Sequence, residues 1–341
     1  MLLLLACKSP ITVLTYNAGL AVGFVPGSND RAEGTVAAAL AEQADVTCLQ
    51  EVWLPEHRAL VTGDNVLVPE PAQVLGDEPA CPEGELDSMT ACLDENCSDT
   101  ACADELVDCV FASCVFPFLA LESTCQGCVM ANVGGDDISV VTDACEAADT
   151  AYAYGGSFGT ALVTQGEMLE TDHLVLDSTT NRRGVQYALI ETPMGQVDVF
   201  CTHLTAIFDL IPYPRDEGDW ETEQRDQIDV LRGWVDEKST TDTVVLMGDF
   251  NNGPDEFPSH YRALSAGYDS GYEGDCTYCE ANPLNSEDSE DRVIDHVFTR
   301  GFDGTATGTR VLDQAVDVTA CGETFEGAPS DHYGVSVLLE P

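Results

Sequence analysis

Apolar residues in this chain fall into short, β-branched runs that end on a polar side chain. Four such runs predict buried strands: residues 11–17 (ITVLTYN), 45–51 (DVTCLQE), 197–203 (VDVFCTH) and 244–247 (VVLM), the last of which breaks at Gly248. The polar residues at or just beyond the strand ends are Asn17, Glu51, His203, Asp249 and Asn251. Because a strand end is a rigid mount for a side chain, we expect these polar groups to point into one cleft.

Two segments near the end of the chain add to this set. Residues 292–299 place Asp295 and His296 mid-strand, where alternation puts them on opposite faces, so only one of the two can face a shared cleft. Asp331 and His332 lie on a loop that precedes the final predicted strand. Taken alone that loop is an ordinary surface turn, but together with the strand-end residues it completes a more specific arrangement.

Helices are predicted where the apolar residues recur at a helical period. The alanine-rich residues 28–44 predict a helix that packs on the sheet. Residues 221–237 predict an amphipathic helix with Ile228, Leu231 and Trp234 on one face.

The composition shifts in a segment at residues 81–145. Its nine cysteines are Cys81, Cys92, Cys97, Cys102, Cys109, Cys114, Cys125, Cys128 and Cys145. The Cys125-x-x-Cys128 pair is compatible with half of a zinc site, but no second pair in the segment completes one, so a disulfide-stapled insertion is favoured. Because nine is odd, at least one partner is expected outside the segment, with Cys276, Cys279 and Cys321 as the candidates.

Charge and cysteine content restrict the partners and the compartment. The net charge is -48, from 61 acidic against 13 basic residues, so the protein repels polyanions and attracts divalent cations. Solubility or a saline environment also accounts for such a charge. Fifteen cysteines indicate an oxidising compartment. Cys48 and Cys201 lie in predicted core strands, where free buried thiols are the ordinary expectation.

The N-terminus is compatible with export. Residues 2–7 (LLLLAC) resemble the lipobox of bacterial lipoproteins, in which Cys7 is lipidated, although there is no basic region before it and the apolar run is short. Either the chain begins late or the match is chance. Setting Cys7 aside leaves an even number of cysteines, which favours lipidation. We therefore expect residues 1–10 to be a truncated lipoprotein signal or tether, and the protein to be exported as a monomer, lipid-anchored on the bacterial envelope or secreted.

Six motifs, in order, resemble the endonuclease/exonuclease/phosphatase superfamily, also called the DNase I-like fold. They are TYN at residues 15–17, LQE at 49–51, THL at 202–204, GDFN at 248–251, ID at 294–295 and SDH at 330–332. The resemblance covers residues 11–341 outside the insertion. It implies an α/β (α+β) fold, a four-layer αββα sandwich of two mixed sheets flanked by helices. Within the superfamily, LQEVW at residues 49–53 and FCTHLTA at residues 200–206 look most like the sphingomyelinase-type phosphodiesterases.

The resemblance also implies a metal site and a cofactor. Glu51 would hold Mg²⁺, or another divalent cation such as Mn²⁺ or Ca²⁺, with Asn17 close by. Mg²⁺ binds through one or two carboxylates and keeps several waters, which leaves room for a substrate phosphate. Asp331 would support a second cation.

Catalytic roles follow from the same resemblance. His332 would be the general base, oriented by Asp295, because imidazole titrates near neutral pH and needs its other nitrogen fixed. His203 would donate to a phosphoryl oxygen, assisted by Asn251. Asp249 would handle the leaving oxygen or orient the attacking water.

The expected activity is metal-dependent hydrolysis of a phosphodiester. A phospholipid headgroup is favoured, because a zwitterion does not feel the repulsion that a polyanion does. Contact with a membrane surface would suit Phe111, Phe116 and Phe118, although these residues are better explained as the core of the insertion. An extracellular nuclease is the second alternative, and a non-catalytic binding lipoprotein is the least favoured, because no catalytic position is visibly substituted.

Overall fold

A computed structural model of the 341-residue chain describes residues 9–100, 102–132, 138–208, 211–215, 217–286 and 289–341. The strands are β1 (Ile11–Asn17), β2 (Val46–Gln50), β3 (Asn65–Leu67), β4 (Ala161–Thr164), β5 (Met168–Leu176), β6 (Arg183–Thr192), β7 (Gly195–His203), β8 (Val244–Asp249), β9 (Asp269–Ser270), β10 (Asp295–Arg300), β11 (Thr305–Val311), β12 (Val316–Ala320), β13 (Glu323–Gly327) and β14 (Gly334–Glu340). The helices are α1 (Ser28–Ala41), α2 (Pro55–Leu60), α3 (Asp87–Asn96), α4 (Ala103–Ser113), α5 (Val115–Leu119), α6 (Ser123–Ala131), α7 (Ile138–Ala147), α8 (Trp220–Lys238) and α9 (Pro258–Ser265).

Two six-stranded sheets form the centre of the molecule. Their strand orders are β11-β14-β1-β2-β4-β3 and β5-β6-β7-β8-β10-β9. Each sheet is mixed: β1 is parallel to β2 and antiparallel to β14, and β8 is parallel to β7 and antiparallel to β10. Of the strands that pair in parallel, β2 and β8 are buried along their whole length and β1 and β7 along most of it, which explains their apolar sequences.

Four layers follow from the contacts of the buried side chains. The inner faces of the two sheets meet in one apolar cluster, which includes Val13 and Val46 from the first sheet and Val199 and Met247 from the second. Helix α1 covers the outer face of the first sheet, and α8 covers the outer face of the second. The predicted αββα sandwich is therefore confirmed.

A disulfide links the two sheets through the middle of this core. Cys48 on β2 is bonded to Cys201 on β7, with the two Cα atoms 5.5 Å apart. The expectation that these residues are free thiols is wrong. Strands β2 and β7 face each other across the sandwich, so two small apolar side chains that looked independent in sequence meet at bonding distance.

Residues 81–145 fold as five short helices, α3–α7, around a small apolar core of their own. Four disulfides lie within this segment: Cys81–Cys125, Cys92–Cys114, Cys97–Cys109 and Cys128–Cys145. The ninth cysteine, Cys102, reaches outside it to Cys321 between β12 and β13, while Cys276 pairs with Cys279. The disulfide interpretation is confirmed, and the zinc alternative for Cys125 and Cys128 is wrong.

Three smaller outcomes concern the sequence predictions. Strand β10 begins at Asp295, so this residue opens the strand instead of lying mid-strand, whereas His296 does point to the opposite face, toward Asn252. In the insertion, Phe118 is buried but Phe116 is 81% exposed, so only part of its aromatic group forms the core. Most of the predicted tether, including Cys7, lies outside the described residues. Within the described ranges, no helix combines the length and the apolar character needed to cross a membrane.

Candidate active site

Three site residues form one row across the second sheet. His203 at the end of β7 is in register with Asp249 at the end of β8, which is in register with Asp295 at the start of β10. Neighbouring strands lie about 4.8 Å apart, so this register alone brings the three side chains to one edge of the sheet. As the sequence predicted, these strand ends bring their polar side chains together.

A buried hydrogen bond connects this row to the first sheet. The Asn17 amide at the end of β1 donates from Nδ2 to Asp249 Oδ2 over 2.8 Å. Asp249 Oδ1 accepts from the backbone N–H of Asn251 over 2.9 Å, so both carboxylate oxygens are held. Burial, followed by the charge of Asp295, raises the pKa of Asp249 to about 7.

The loop before β14 supplies a second paired group. His332 Nδ1 lies 2.8 Å from Asp295 Oδ2, and its Nε2 lies 3.4 Å from Asn17 Nδ2 and 3.9 Å from Asp249 Oδ2. The Tyr278 ring packs edge-on against the imidazole at a centroid distance of 5.1 Å. Burial lowers the pKa of His332, but the surrounding carboxylates, led by Asp295, outweigh burial and hold that pKa well above its usual value.

His203 has the opposite electrostatic setting. The Asn251 amide nitrogen, Nδ2, donates one hydrogen to Leu204 O over 3.0 Å, which fixes the orientation of the amide. Its second hydrogen is donated to His203 Nε2, 3.1 Å away. Burial, together with the nearby charges of Arg183 and His332, holds the pKa of His203 well below its usual value. His203 is therefore neutral and carries its proton on Nδ1, the buried ring nitrogen that has no partner among the described residues.

Glu51 fits the role of a cation ligand. It follows β2 with a φ of 57°, a left-handed conformation that turns the side chain out of the strand direction. Its Oε2 is buried without a hydrogen-bond partner among the described residues, and burial with the charge of Asp331 raises the pKa of its carboxyl to about 7. Asn17 Oδ1 accepts from the Gly19 N–H and keeps a second lone pair. An unsatisfied buried carboxylate beside a second acid is the donor set that a hard divalent cation prefers.

The loop at Asp331 packs so closely against Gly19 that residue 19 has no room for a side chain. A Cβ at Gly19 would lie 2.0 Å from Asp331 Oδ1 and 2.7 Å from Ser330 Oγ. Ser330 Oγ donates to Asn17 O and accepts from the His332 backbone N–H, which ties β1 to the loop. Glycine at residue 19 therefore allows Asp331 to approach the end of β1.

A competing ligand cluster is less suited to a metal. Single atoms of Asp249, Asp295 and His332 lie within 4.8 Å of one another in the described part of the chain. However, His332 and Asp295 already satisfy each other, and Asn17 donates to Asp249. The unsatisfied oxygen of Glu51 makes the Glu51 side of the site the better cation position.

All eight predicted site residues come together at this edge of the sandwich, while their roles remain predictions. Residues 14–332 match the model of the Endonuclease/Exonuclease/phosphatase family. The chain belongs to this family. Its members are generally phosphoester hydrolases. No curated protein matches the chain by sequence.

Solved structures of similar fold include a bacterial toxin, a sphingomyelinase C and a TDP2 protein. Beta toxin from Staphylococcus aureus, as a mutant with bound magnesium ions, is 16% identical with a TM-score of 0.59, over 96% of this chain and 99% of that chain. Sphingomyelinase C from Streptomyces griseocarneus is 15% identical with a TM-score of 0.58, over 97% and 99% of the two chains. TDP2 from Caenorhabditis elegans is 12% identical with a TM-score of 0.53, over 97% of this chain and 74% of that chain. At these identities the likeness concerns the fold alone.

The structure of this family member adds a cation that the sequence prediction did not assign. Arg183 is buried, lines the same cavity as Glu51 and Asp249, and has no hydrogen-bond partner for Nε or Nη1 among the described residues. Its guanidinium lies 5.6 Å from the centroid of the Trp53 ring. A buried guanidinium with unused N–H donors is suited to an anionic oxygen. The signal in the sequence was the Arg182-Arg183 pair, but its geometry was not readable there.

The site opens into a cavity of about 290 Å³. We call the polar site residues in its lining the floor, and a group of its apolar lining residues the wall. The wall includes Phe24, Val25, Met130, Phe208, Ile211 and Trp220. Met130 belongs to α6 of the insertion, so the insertion forms part of the cavity.

Proposed function

We propose that this protein is a metal-dependent phosphodiester hydrolase of the sphingomyelinase or phospholipase C type. The observation that carries the proposal is the His332 imidazole, which is hydrogen-bonded to Asp295 through Nδ1 and directs Nε2 toward Asp249 and Asn17 at the cavity. A base oriented by a buried carboxylate, in one cavity with an acid suited to a cation and a guanidinium with unused N–H donors, is suited to water attack on phosphorus.

His332 performs the proton transfer in this mechanism. Its Nε2 takes a proton from the water whose oxygen bonds to phosphorus, while Asp295 fixes the ring and stabilises the imidazolium that forms. The bond between phosphorus and the leaving oxygen breaks as the new bond forms. Asp249 provides the proton that the leaving oxygen takes up; if Asp249 instead orients the attacking water, the leaving oxygen takes that proton from solvent.

In this mechanism two further groups of the cavity lining stabilise the negative charge on the phosphoryl oxygens. Arg183 offers unused N–H donors, and neutral His203 adds a further donor while Asn251 fixes its ring. Such preorganised donors act without reorganising during the reaction.

Glu51, Asn17 and Asp331 would hold Mg²⁺ in this proposal. When bound, the ion supplies positive charge that polarises the phosphate and offsets the carboxylates that keep His332 protonated. The structure of beta toxin with bound magnesium ions, which shares this fold, supports the choice of ion.

A phospholipid headgroup is the substrate that the surroundings favour. Among the described residues that line the cavity, Arg183 is the single arginine or lysine, against the acids Glu51, Asp249 and Asp331. A polyanion gains few contacts there and approaches a protein with a net charge of -48. Sphingomyelinase C from Streptomyces griseocarneus, which is similar in fold, supports the same choice.

The test compares two substrates under the same conditions. The purified, oxidised protein is incubated with sphingomyelin vesicles and, separately, with plasmid DNA, each with Mg²⁺ and with chelator. We expect chelator-sensitive release of phosphocholine and intact plasmid, and no release by a His332→Ala variant. Nicked plasmid with untouched vesicles would make the protein a nuclease instead, and no hydrolysis of either would refute the proposal.

Export to an oxidising compartment belongs to the same proposal. Every cysteine of the described residues is paired, in seven disulfides, which suits a secreted or envelope protein. Phe111 and Phe116 on the insertion remain 41% and 81% exposed, a feature that supports contact with a membrane surface.

A further inference from the structure

We infer that the cavity contains a second subsite, for an apolar substituent of the phosphodiester, and that Met130 of the insertion is one of its specificity-determining residues. The inference rests on the proposed function, because the phosphate must lie on the polar floor. It identifies which part of the substrate the insertion contacts.

The cavity lining combines two kinds of chemistry. Glu51, Arg183 and His332 lie at the floor, whereas Phe24, Met130, Phe208 and Ile211 lie on the wall. Phe24 and Phe208 remain 41% and 36% exposed, so they present apolar surface that the protein itself leaves uncovered. An ester substituent of the phosphate that extends to this side would cover that surface, and each methylene it buries would strengthen binding.

The insertion is fixed against the loop that carries Phe24. The Asp104 side chain on α4 accepts hydrogen bonds from the backbone N–H groups of Gly23 and Gly27, at 3.3 and 2.9 Å. These two bonds flank Phe24 and Val25. A carboxylate from the insertion thus sets the conformation of one side of the wall.

The insertion also touches the other side of the wall. A Cβ at Gly127 on α6 would lie 3.4 Å from the Cβ of Pro214, so the helix approaches the segment that carries Ile211 closely. The Cys102–Cys321 disulfide attaches the insertion to the β12–β13 hairpin. With contacts on both sides and a covalent attachment, Met130 is held as a structural part of the wall.

The test uses two non-hydrolysable anions that differ in one chain. Dimethylphosphinate and hexyl(methyl)phosphinate both mimic the phosphodiester anion, and calorimetry in Mg²⁺ gives the affinity of each. We expect the wild-type protein to bind the hexyl compound at least about tenfold more tightly. Met130→Gln keeps the length of the side chain but makes it polar, so we expect it to lower this preference about fivefold and leave dimethylphosphinate binding unchanged.

Phe116→Gln is the matched control, because Phe116 also belongs to the insertion but does not line the cavity. It is expected to retain the wild-type preference. Methyl-¹³C labelling of the six methionines provides a second readout, in which the Met130 signal shifts with the hexyl compound and not with the dimethyl compound.

The outcomes separate this inference from the proposed function. Equal affinity of the wild-type protein for both compounds, an unchanged preference in Met130→Gln, or an equal loss in Phe116→Gln would each overturn the subsite. A normal hexyl preference in a protein that hydrolyses no phosphodiester would support the subsite and refute the hydrolase.

Discussion

The Nδ1 atom of His332 lies 2.8 Å from Oδ2 of Asp295, and both side chains are almost fully buried. Asp295 opens β10 and His332 precedes β14, so strands from two different sheets hold the pair. Thr277 supports it by accepting hydrogen bonds from the backbone N–H groups of Ile294 and Asp295. The orientation of the imidazole is therefore determined by the backbone on both sides.

Replacing His332 should affect turnover much more than binding. We expect His332→Ala to lower kcat by about 10²–10⁴-fold with little change in KM, because the general base acts in the transition state. Steady-state kinetics on sphingomyelin vesicles measure both constants. Weakened binding with normal turnover would remove His332 from the chemistry.

Asp295→Asn should shift the pH profile. The carboxylate of Asp295 helps to raise the pKa of His332, so its neutral replacement lowers that pKa. Because the base acts unprotonated, we expect the rising limb of kcat against pH to move to lower pH, together with a fall in maximal kcat. An unchanged limb with reduced kcat would limit Asp295 to a steric role.

Glu51→Gln should remove cation binding. The wild-type protein is expected to melt at a higher temperature with Mg²⁺, since a ligand at 100 times its Kd stabilises the folded state by about 2.7 kcal/mol. We expect this shift to disappear in Glu51→Gln and to persist in Glu237→Gln, an exposed acid on α8. Thermal unfolding with and without Mg²⁺ is the measurement. A retained shift in Glu51→Gln would place the ion elsewhere.

Loss of the disulfide between the sheets should destabilise the whole sandwich. The double variant Cys48→Ala, Cys201→Ala opens a link of sequence separation 153, and we expect a loss of about 2–5 kcal/mol in the free energy of unfolding. Urea denaturation under oxidising conditions measures it. The Cys97→Ala, Cys109→Ala pair, of separation 12 within the insertion, should cost less and leave activity intact. Equal losses would contradict a special role for the core bond.

His296 should make the protein less stable in acid. Burial lowers its pKa from 6.5 to about 4, so between these values the unfolded chain binds a proton that the folded protein does not. Stability therefore falls as the pH drops from 6.5 to 4, by up to about 3 kcal/mol from this residue. We expect His296→Gln to lose less stability than the wild type between pH 7 and pH 4.5 in urea titrations. Parallel losses would rule His296 out as the cause.

The sequence predicted the strands that are buried on both faces. Strands β1, β2, β7 and β8 have continuous apolar runs because both faces are covered. Strand β5 was missed, since it lies at a sheet edge and most of its residues are partly or fully exposed, so pairing with β6 and not hydrophobicity defines it. Edge strands carry little signal of their own.

The other features that the sequence did not predict depend on which residues meet in space, and the sequence alone does not show this. The Cys48–Cys201 bond joins residues whose sequences indicate only that both are buried. Arg182 and Arg183 are adjacent and identical in type, yet Arg182 lies 4.3 Å from the Tyr152 ring while Arg183 lines the cavity. By contrast, the eight polar site residues were predictable because each lies at or next to a strand end or in a motif of the family.

The Asn17–Asp249 hydrogen bond can form only after distant parts of the chain have come together. It joins the end of β1 to the end of β8, and β1 is paired with β14, the last strand of the chain. His332 lies just before β14, so the first and last strands must meet before the base can reach Asp295. During synthesis the site therefore stays incomplete until His332 and the residues of β14 have emerged and joined the fold.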